Sequence, residues 1–209
     1  MTEHKPAHNP VPNLAHNPVL GLTPSQTVGP FFHFMLTPKA YGGREIFSAD
    51  LTSQGLQGEK LRIEGRVFDA DGAPVPDALI EIWQADANGA FAHPASPRIA
   101  SNGFRGFGRC PTDAHGAFAF DTIMPGVVEI FDGVAQSPHV AVHIFARGMP
   151  KHLATRIYFA GRADLATDPA LMCVPEGRRE TLLAKEMAKG LREFNIRLGG
   201  KAETVFFDI

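Results

Sequence analysis

Tyrosine is nearly missing from this chain: Tyr41 and Tyr158 stand against 16 phenylalanines among 209 residues. Phenolic oxygen, whether as a proton donor or as a hard metal ligand, is therefore available at those two positions alone. Cysteine is equally scarce. Cys110 and Cys173 fit no zinc or redox spacing and read as buried or partly buried thiols of a reducing cytosol. No long basic run exists and the net charge is -2, so nucleic-acid binding has no support. Apolar stretches fall far short of the ~20 residues of a membrane span. The start, Met1-Thr2-Glu3-His4-Lys5-Pro6, lacks an apolar h-region, so no secretory signal is expected and the cytoplasm is the expected location. The GxSxG elbow, the phosphate-cradling GxxxxGK[ST] loop and the HExxH helix are all absent. Asp69-Ala70-Asp71-Gly72 lacks the spaced ligands and closing Glu of a calcium loop and reads as a hairpin turn. Glu81 and Asp86 are five apart, on opposite faces of a strand, so they form no acid pair.

What is present is β patterning. Leu61, Ile63, Gly65 and Val67 alternate with Arg62, Glu64 and Arg66. Ala78 to Ala85, carrying the single Trp83, reads as a strand before an Asn88-Gly89 turn. Phe118-Ala119-Phe120 runs into Met124-Pro125-Gly126. His139 to Ala146 and Leu153 to Ala160 are two further strands, and Val205-Phe206-Phe207 a closing one. Short strands spaced by Gly, Pro, Asn and Asp turns predict a mainly β fold, an antiparallel β-sandwich. One short C-terminal helix is expected over Glu176 to Lys189, with Leu183 and Met187 one turn apart and Gly190 as C-cap. The length suits one domain with a real core plus extensions. Residues 1–22, rich in Pro, His and Asn, read as an extended, flexible N-terminal arm, and 23–209 as the β-sandwich domain. His4, His8 and His16 on the arm offer a second, weaker reading as transition-metal donors. Thr23-Pro24-Ser25-Gln26-Thr27-Val28-Gly29-Pro30-Phe31-Phe32-His33 follows a bent, non-helical path. It is either an ordinary packed loop or a segment docked on something apolar.

The segment Pro138-His139-Val140-Ala141-Val142-His143 resembles a metal site with a ligand missing. Side chains two apart on a strand share a face, so a His-x-His pair there would bring two imidazoles to one ion. Here the second place is Ala141, which donates nothing. His143 shares the face but lies four residues from His139, roughly 13 Å at about 3.3 Å per residue. Ligands at about 2 Å from one ion cannot span that. The bland alternative is two histidines hydrogen-bonded within a sheet.

Several ordered motifs carry a resemblance. The run from Gly65-Arg66-Val67-Phe68 through Asp77-Ala78-Leu79-Ile80-Glu81-Ile82-Trp83-Gln84-Ala85-Asp86-Ala87-Asn88-Gly89 resembles the intradiol ring-cleavage dioxygenases. Thr112-Asp113-Ala114-His115-Gly116 through Met124-Pro125-Gly126, Pro138-His139 through Arg147-Gly148, and Arg156-Ile157-Tyr158-Phe159 fit the same family. The likeness covers roughly residues 23–209. It implies a non-haem Fe(III) held by two tyrosinates and two histidines, because hard ferric iron suits phenolate oxygen. At the first tyrosine's place this chain has Phe91 or His93, and at the second's Val128 after Pro125-Gly126-Val127. The second histidine's place is Ala141, and neither Tyr41 nor Tyr158 falls at a ligand position. Of the ligand set only His139 remains, so the expectation is that this chain binds no metal and supplies no catalytic residue.

Within that family the sequence looks like the iron-free alpha member of a pair of related chains whose beta chain carries the iron. The stretches Thr23 to Pro30, Phe145-Ala146-Arg147-Gly148, Gly177-Arg178-Arg179-Glu180-Thr181-Leu182 and Glu203 to Asp208 carry this finer likeness. The resemblance implies a hetero-oligomer of multiple alpha–beta protomers, with Fe(III) on the partner. It also implies a small aromatic substrate, 3,4-dihydroxybenzoate, opened with O2 to 3-carboxy-cis,cis-muconate. Carried over, Thr27, Gly29 and Pro30 line the substrate pocket. A Gly-Pro turn approaches a flat ring closely, and Thr27 offers a hydroxyl. Arg147 is a candidate for gripping the substrate carboxylate, with an exposed or interface arginine as its plain alternative. The rival expectation is a stand-alone, non-catalytic β-sandwich binding module.

Overall fold

Alternation in Lys60–Phe68 (β1) buries Leu61, Ile63, Gly65 and Val67 and leaves Lys60, Arg62 and Arg66 to solvent, as a half-buried strand requires. The computed structural model describes residues 29, 34–52, 57–96, 98–100, 103–129 and 133–208. The arm expected over 1–22, Thr27 and Pro30 all lie outside the described residues.

The strands after β1 are Leu79–Gln84 (β2), Phe107–Pro111 (β3), Ala117–Ile123 (β4), Val128–Glu129 (β5), Ala135–Gln136 (β6), His139–Phe145 (β7) and Leu153–Phe159 (β8). Leu183–Ala188 (β9), Leu191–Glu193 (β10) and Ile196–Arg197 (β11) close the order. A single helical turn, Pro169–Met172 (α1), follows β8. The main sheet runs β11-β1-β10-β9-β8-β7-β2-β3, with β4 antiparallel on the other edge of β1. It curls until β3 lies against β4, so the architecture is a nearly closed sandwich. Inside sit Ile63, Val67, Ile80, Ile82, Phe118, Phe120, Val140, Val142, Ile144, Ile157, Phe159 and Ile196. A second apolar cluster, Tyr158, Leu171, Val174 and Leu182, packs beneath α1.

Three expectations need correction. The sheet is not purely antiparallel: β1 pairs in parallel with β10 and β11, and β8 with β9. The helix expected over Glu176 to Lys189 does not form. Glu176–Leu182 is a 3-10 segment, and the chain then extends as β9, with Leu183 and Ala184 paired to Tyr158 and Phe159. Open backbone groups on β8 outweigh helix propensities of a few tenths of a kcal/mol per residue. Gly190, at φ 75°, turns a β9–β10 hairpin instead of capping a helix. Val205 and Phe206 likewise form no strand, and Phe207 makes one isolated bridge to Ala154.

Candidate functional site

β7 places its side chains on two faces. Val140, Val142 and Ile144 enter the core, while His139, Ala141, His143 and Phe145 point to the other side. Antiparallel register extends that second face over its neighbours. Trp83 of β2 and Arg156 of β8 stand opposite Ala141, Glu81 and Ala154 opposite His143, and Tyr158 opposite His139.

His139 is 5% exposed. Its Nδ1 lies 2.8 Å from the carbonyl of Ser137; a carbonyl only accepts, so Nδ1 carries the proton and Nε2 keeps its lone pair. Burial, aided by the positive charge of Arg156, lowers its pKa to about 4, so the ring is neutral at pH 7. The ring packs 5.8 Å from that of Tyr158. Burial also raises the Tyr158 pKa, and its hydroxyl donates to Asp168 Oδ1 at 2.9 Å.

Asp168 is the hub of this region. Fully buried, it caps α1 by accepting from the Leu171 N–H at 2.9 Å, and it also accepts from the Ser137 N–H at 2.9 Å. One carboxylate thereby ties the segment entering β7, the strand β8 and the helical turn after it. Sequence reading missed it, although Asp168-Pro169 is a helix-start signal.

Trp83 is 41% exposed and carries the Phe91 ring at 4.9 Å and the His93 ring at 6.0 Å. Both candidates for the first missing tyrosine are thus beside this tryptophan. Gly89, at φ 79°, lets the loop approach the Val127 carbonyl, which a Cβ would meet at 1.8 Å. Val128 is buried and begins the β5–β6 ribbon, opposite Gln136. The neighbouring Gln84 is buried and fully engaged: its amide donates to the Ile123 carbonyl at 2.9 Å and accepts from the Thr122 hydroxyl at 2.9 Å.

The donor set here is the His139 imidazole with the alkyl groups of Ala141 and Val128 and, at the remaining place, Phe91 or His93; it offers no phenolate and does not fit ferric iron. Among the described residues, no three His, Cys, Asp or Glu side chains gather to hold a metal ion. Glu81 is occupied otherwise, paired with Arg109 at 2.5 Å, and Arg109 lies over the Phe47 and Phe107 rings. Arg147 is exposed and its guanidinium is 2.6 Å from Asp77, a residue held at φ 60°. Gly29 is exposed, and among the described residues a Cβ there would meet nothing within 4 Å. Cys110 is half-buried, whereas Cys173 is exposed, against the expectation that it is at least partly buried.

The family model described as Dioxygenase matches residues 48–200. The alpha chain of protocatechuate 3,4-dioxygenase from Burkholderia cepacia is 41% identical over 197 residues, covering 90% of this chain and 97% of that one. The corresponding alpha chain from Pseudomonas putida is also 41% identical, covering 89% and 96%. The Burkholderia cepacia beta chain is 33% identical over 156 residues, 69% of this chain and 66% of that one. Among solved structures, the dioxygenase domain of a carbohydrate-binding fusion from Streptomyces sp. SirexAA-E matches with a TM-score of 0.53. It is 26% identical and covers 85% of this chain and 98% of that one. The chain belongs to the intradiol dioxygenase family.

Proposed function

We propose that this chain is the alpha subunit of a protocatechuate 3,4-dioxygenase, completing the active site of an iron-bearing beta chain. The complex cleaves 3,4-dihydroxybenzoate with O2 to 3-carboxy-cis,cis-muconate. The observation that carries this reading is the 41% identity to an alpha chain over 97% of its length, against 33% over 66% for a beta chain. The absence of a phenol at Val128, at Ala141 and at Phe91 or His93, the places the family resemblance assigns to ligands, supports it from the chemistry. Near end-to-end likeness to alpha chains also disfavours a stand-alone binding module.

The beta chain's Fe(III) supplies Lewis-acid and redox chemistry. This chain's part is binding and orientation. Thr27, Gly29 and Pro30 line the aromatic pocket, and Arg147 receives the substrate carboxylate. Its ion pair with Asp77 is solvent-screened and worth at most about 1 kcal/mol, so a carboxylate displaces Asp77 at little cost. The assembly is a hetero-oligomer of several alpha–beta protomers. The free thiols of Cys110 and Cys173 suit a reducing cytoplasm.

Co-expression with the beta chain, followed by iron analysis and a ring-cleavage assay, tests this. The complex should hold iron and form the muconate, and the lone chain should do neither. A lone chain with about one tyrosinate-coloured iron overturns the reading.

A further inference from the structure

His143 of β7 and His152, the residue just before β8, meet at the root of the 146–151 loop, with ring centres 5.1 Å apart and planes at 55°. A nitrogen about 2 Å from a tetrahedral ion sets its ring centre about 3 Å from that ion, so two imidazoles on one ion have centres about 5 Å apart. Both side chains are half-buried, and their ring nitrogens make no hydrogen bond or ion pair among the described residues. Nitrogens partly withdrawn from water and left without a partner gain from one. Phe145 stacks on His152 with centres 5.4 Å apart and planes within 28°, which fixes that ring. Burial, and then the neighbouring His152, lower the His143 pKa, so its lone pair is free at pH 7. Ala154, opposite His143 on β8, adds only a methyl beside the pair. Glu81, opposite on β2, is committed to Arg109, so the pair offers two protein donors. Neither residue falls at a ligand place of the family resemblance: His143 lies four residues from His139, roughly 13 Å along β7.

We propose that His143 and His152 form an exchangeable site for a divalent transition-metal ion of the zinc, nickel and copper group. Neutral imidazole nitrogen suits these ions, whereas ferric iron prefers anionic oxygen. Two protein ligands leave the remaining positions to water, so the ion binds more weakly than in a closed four-ligand site and exchanges with the free metal around it. Strand pairing next to both histidines, Ile144 against Leu153, holds the two rings in place before the ion arrives. The bound ion joins β7 to the start of β8 beneath the loop that carries Arg147. This site does not depend on the reading of the chain as an alpha subunit, because both ligands belong to this chain.

The test is equilibrium dialysis of the purified, iron-containing complex against Zn(II), counting zinc per copy of this chain in wild type, His143→Gln and His152→Phe. The second variant keeps a ring against Phe145 and removes both nitrogens. Iron content and ring cleavage report whether the variants assemble. At the lowest zinc that saturates wild type, it should hold one more zinc per copy of this chain than either variant, and each substitution should weaken that ion at least about tenfold. Zinc on His4, His8 and His16, or on the partner chain, is common to all three forms and cancels. X-ray absorption at the zinc edge should show two imidazole nitrogens about 2 Å from the extra ion. Equal zinc in all three forms, zero included, overturns the proposal, and so does an extra ion with fewer than two imidazoles. If this chain proves to work without an iron-bearing partner, the same comparison on the chain alone decides the site.

Discussion

Tyr158 and Asp168 form a buried pair in which the phenol donates to the carboxylate at 2.9 Å, ten residues along the chain. The same carboxylate holds the Ser137 and Leu171 N–H groups, so its removal orphans two backbone donors and the phenol together. Tyr158→Phe should lower unfolding free energy by about 1.5–3 kcal/mol, the worth of one hydrogen bond to a charged group. Asp168→Ala should cost clearly more, about 3 kcal/mol or above. Urea unfolding of both variants checks the order; equal losses would show that Asp168 acts through Tyr158 alone.

His139 makes stability depend on pH. Its pKa is about 4 when folded against 6.5 for a free imidazole, so below pH 6.5 the unfolded chain binds the proton that the folded chain refuses. The neutral ring costs nothing above about pH 6.5, and stability falls as pH drops from there toward about 4. By pH 4.5 the loss should be roughly 2–3 kcal/mol at 1.36 kcal/mol per pKa unit. His139→Gln should flatten this part of the profile in urea midpoints measured from pH 7 to pH 4.5. An unchanged slope would assign the acid sensitivity to other groups.

Gly29→Val isolates the role of the turn at 27–30. Among the described residues a Cβ at position 29 meets nothing within 4 Å, so folding stability should not change. If the turn lies against the substrate ring, KM for 3,4-dihydroxybenzoate should rise about 5- to 150-fold, the equivalent of 1–3 kcal/mol of overpacking, with iron retained. Unchanged kinetics in an intact complex would place the turn away from the pocket.

Ala141→His alone should not create a ferric site. It sets two imidazoles on one face, but Phe91 and Val128 still supply no phenolate. Metal analysis after Fe(III) exposure should show no stoichiometric iron. Tight binding would mean the missing ligands lie elsewhere.

Strands with strict alternation were legible because both their faces are defined: Lys60–Phe68 and His139–Phe145 coincide with the expected segments to within a residue or so at their ends. The parallel pairings of β1 were not, because local pattern says nothing about which distant segment fills an edge. Leu183 and Met187 misled for a related reason. Their spacing fits a helix face, but Met187 is exposed and Leu183 owes its place to Tyr158. At the site, the expectation of missing ligands at Ala141 and Val128 rests on residue type alone. The Asp168 hub could not be read that way, since its partners at 137, 158 and 171 meet only once β7, β8 and α1 are folded together.

The parallel pairing of β1 also sets the order in which the chain can close during synthesis. Its antiparallel partner β4 emerges soon afterwards, but Asn195, which accepts from the Arg66 N–H, lies 129 residues later. Until almost the whole chain has left the ribosome, one edge of β1 is an unpaired ladder with Leu61, Ile63 and Val67 unsealed beside it. Contacts this distant form slowly, and open edges of this kind recruit other strands. Truncation before β10 would therefore leave a nascent sheet prone to aggregate, and chaperone demand should fall on the last stage of translation.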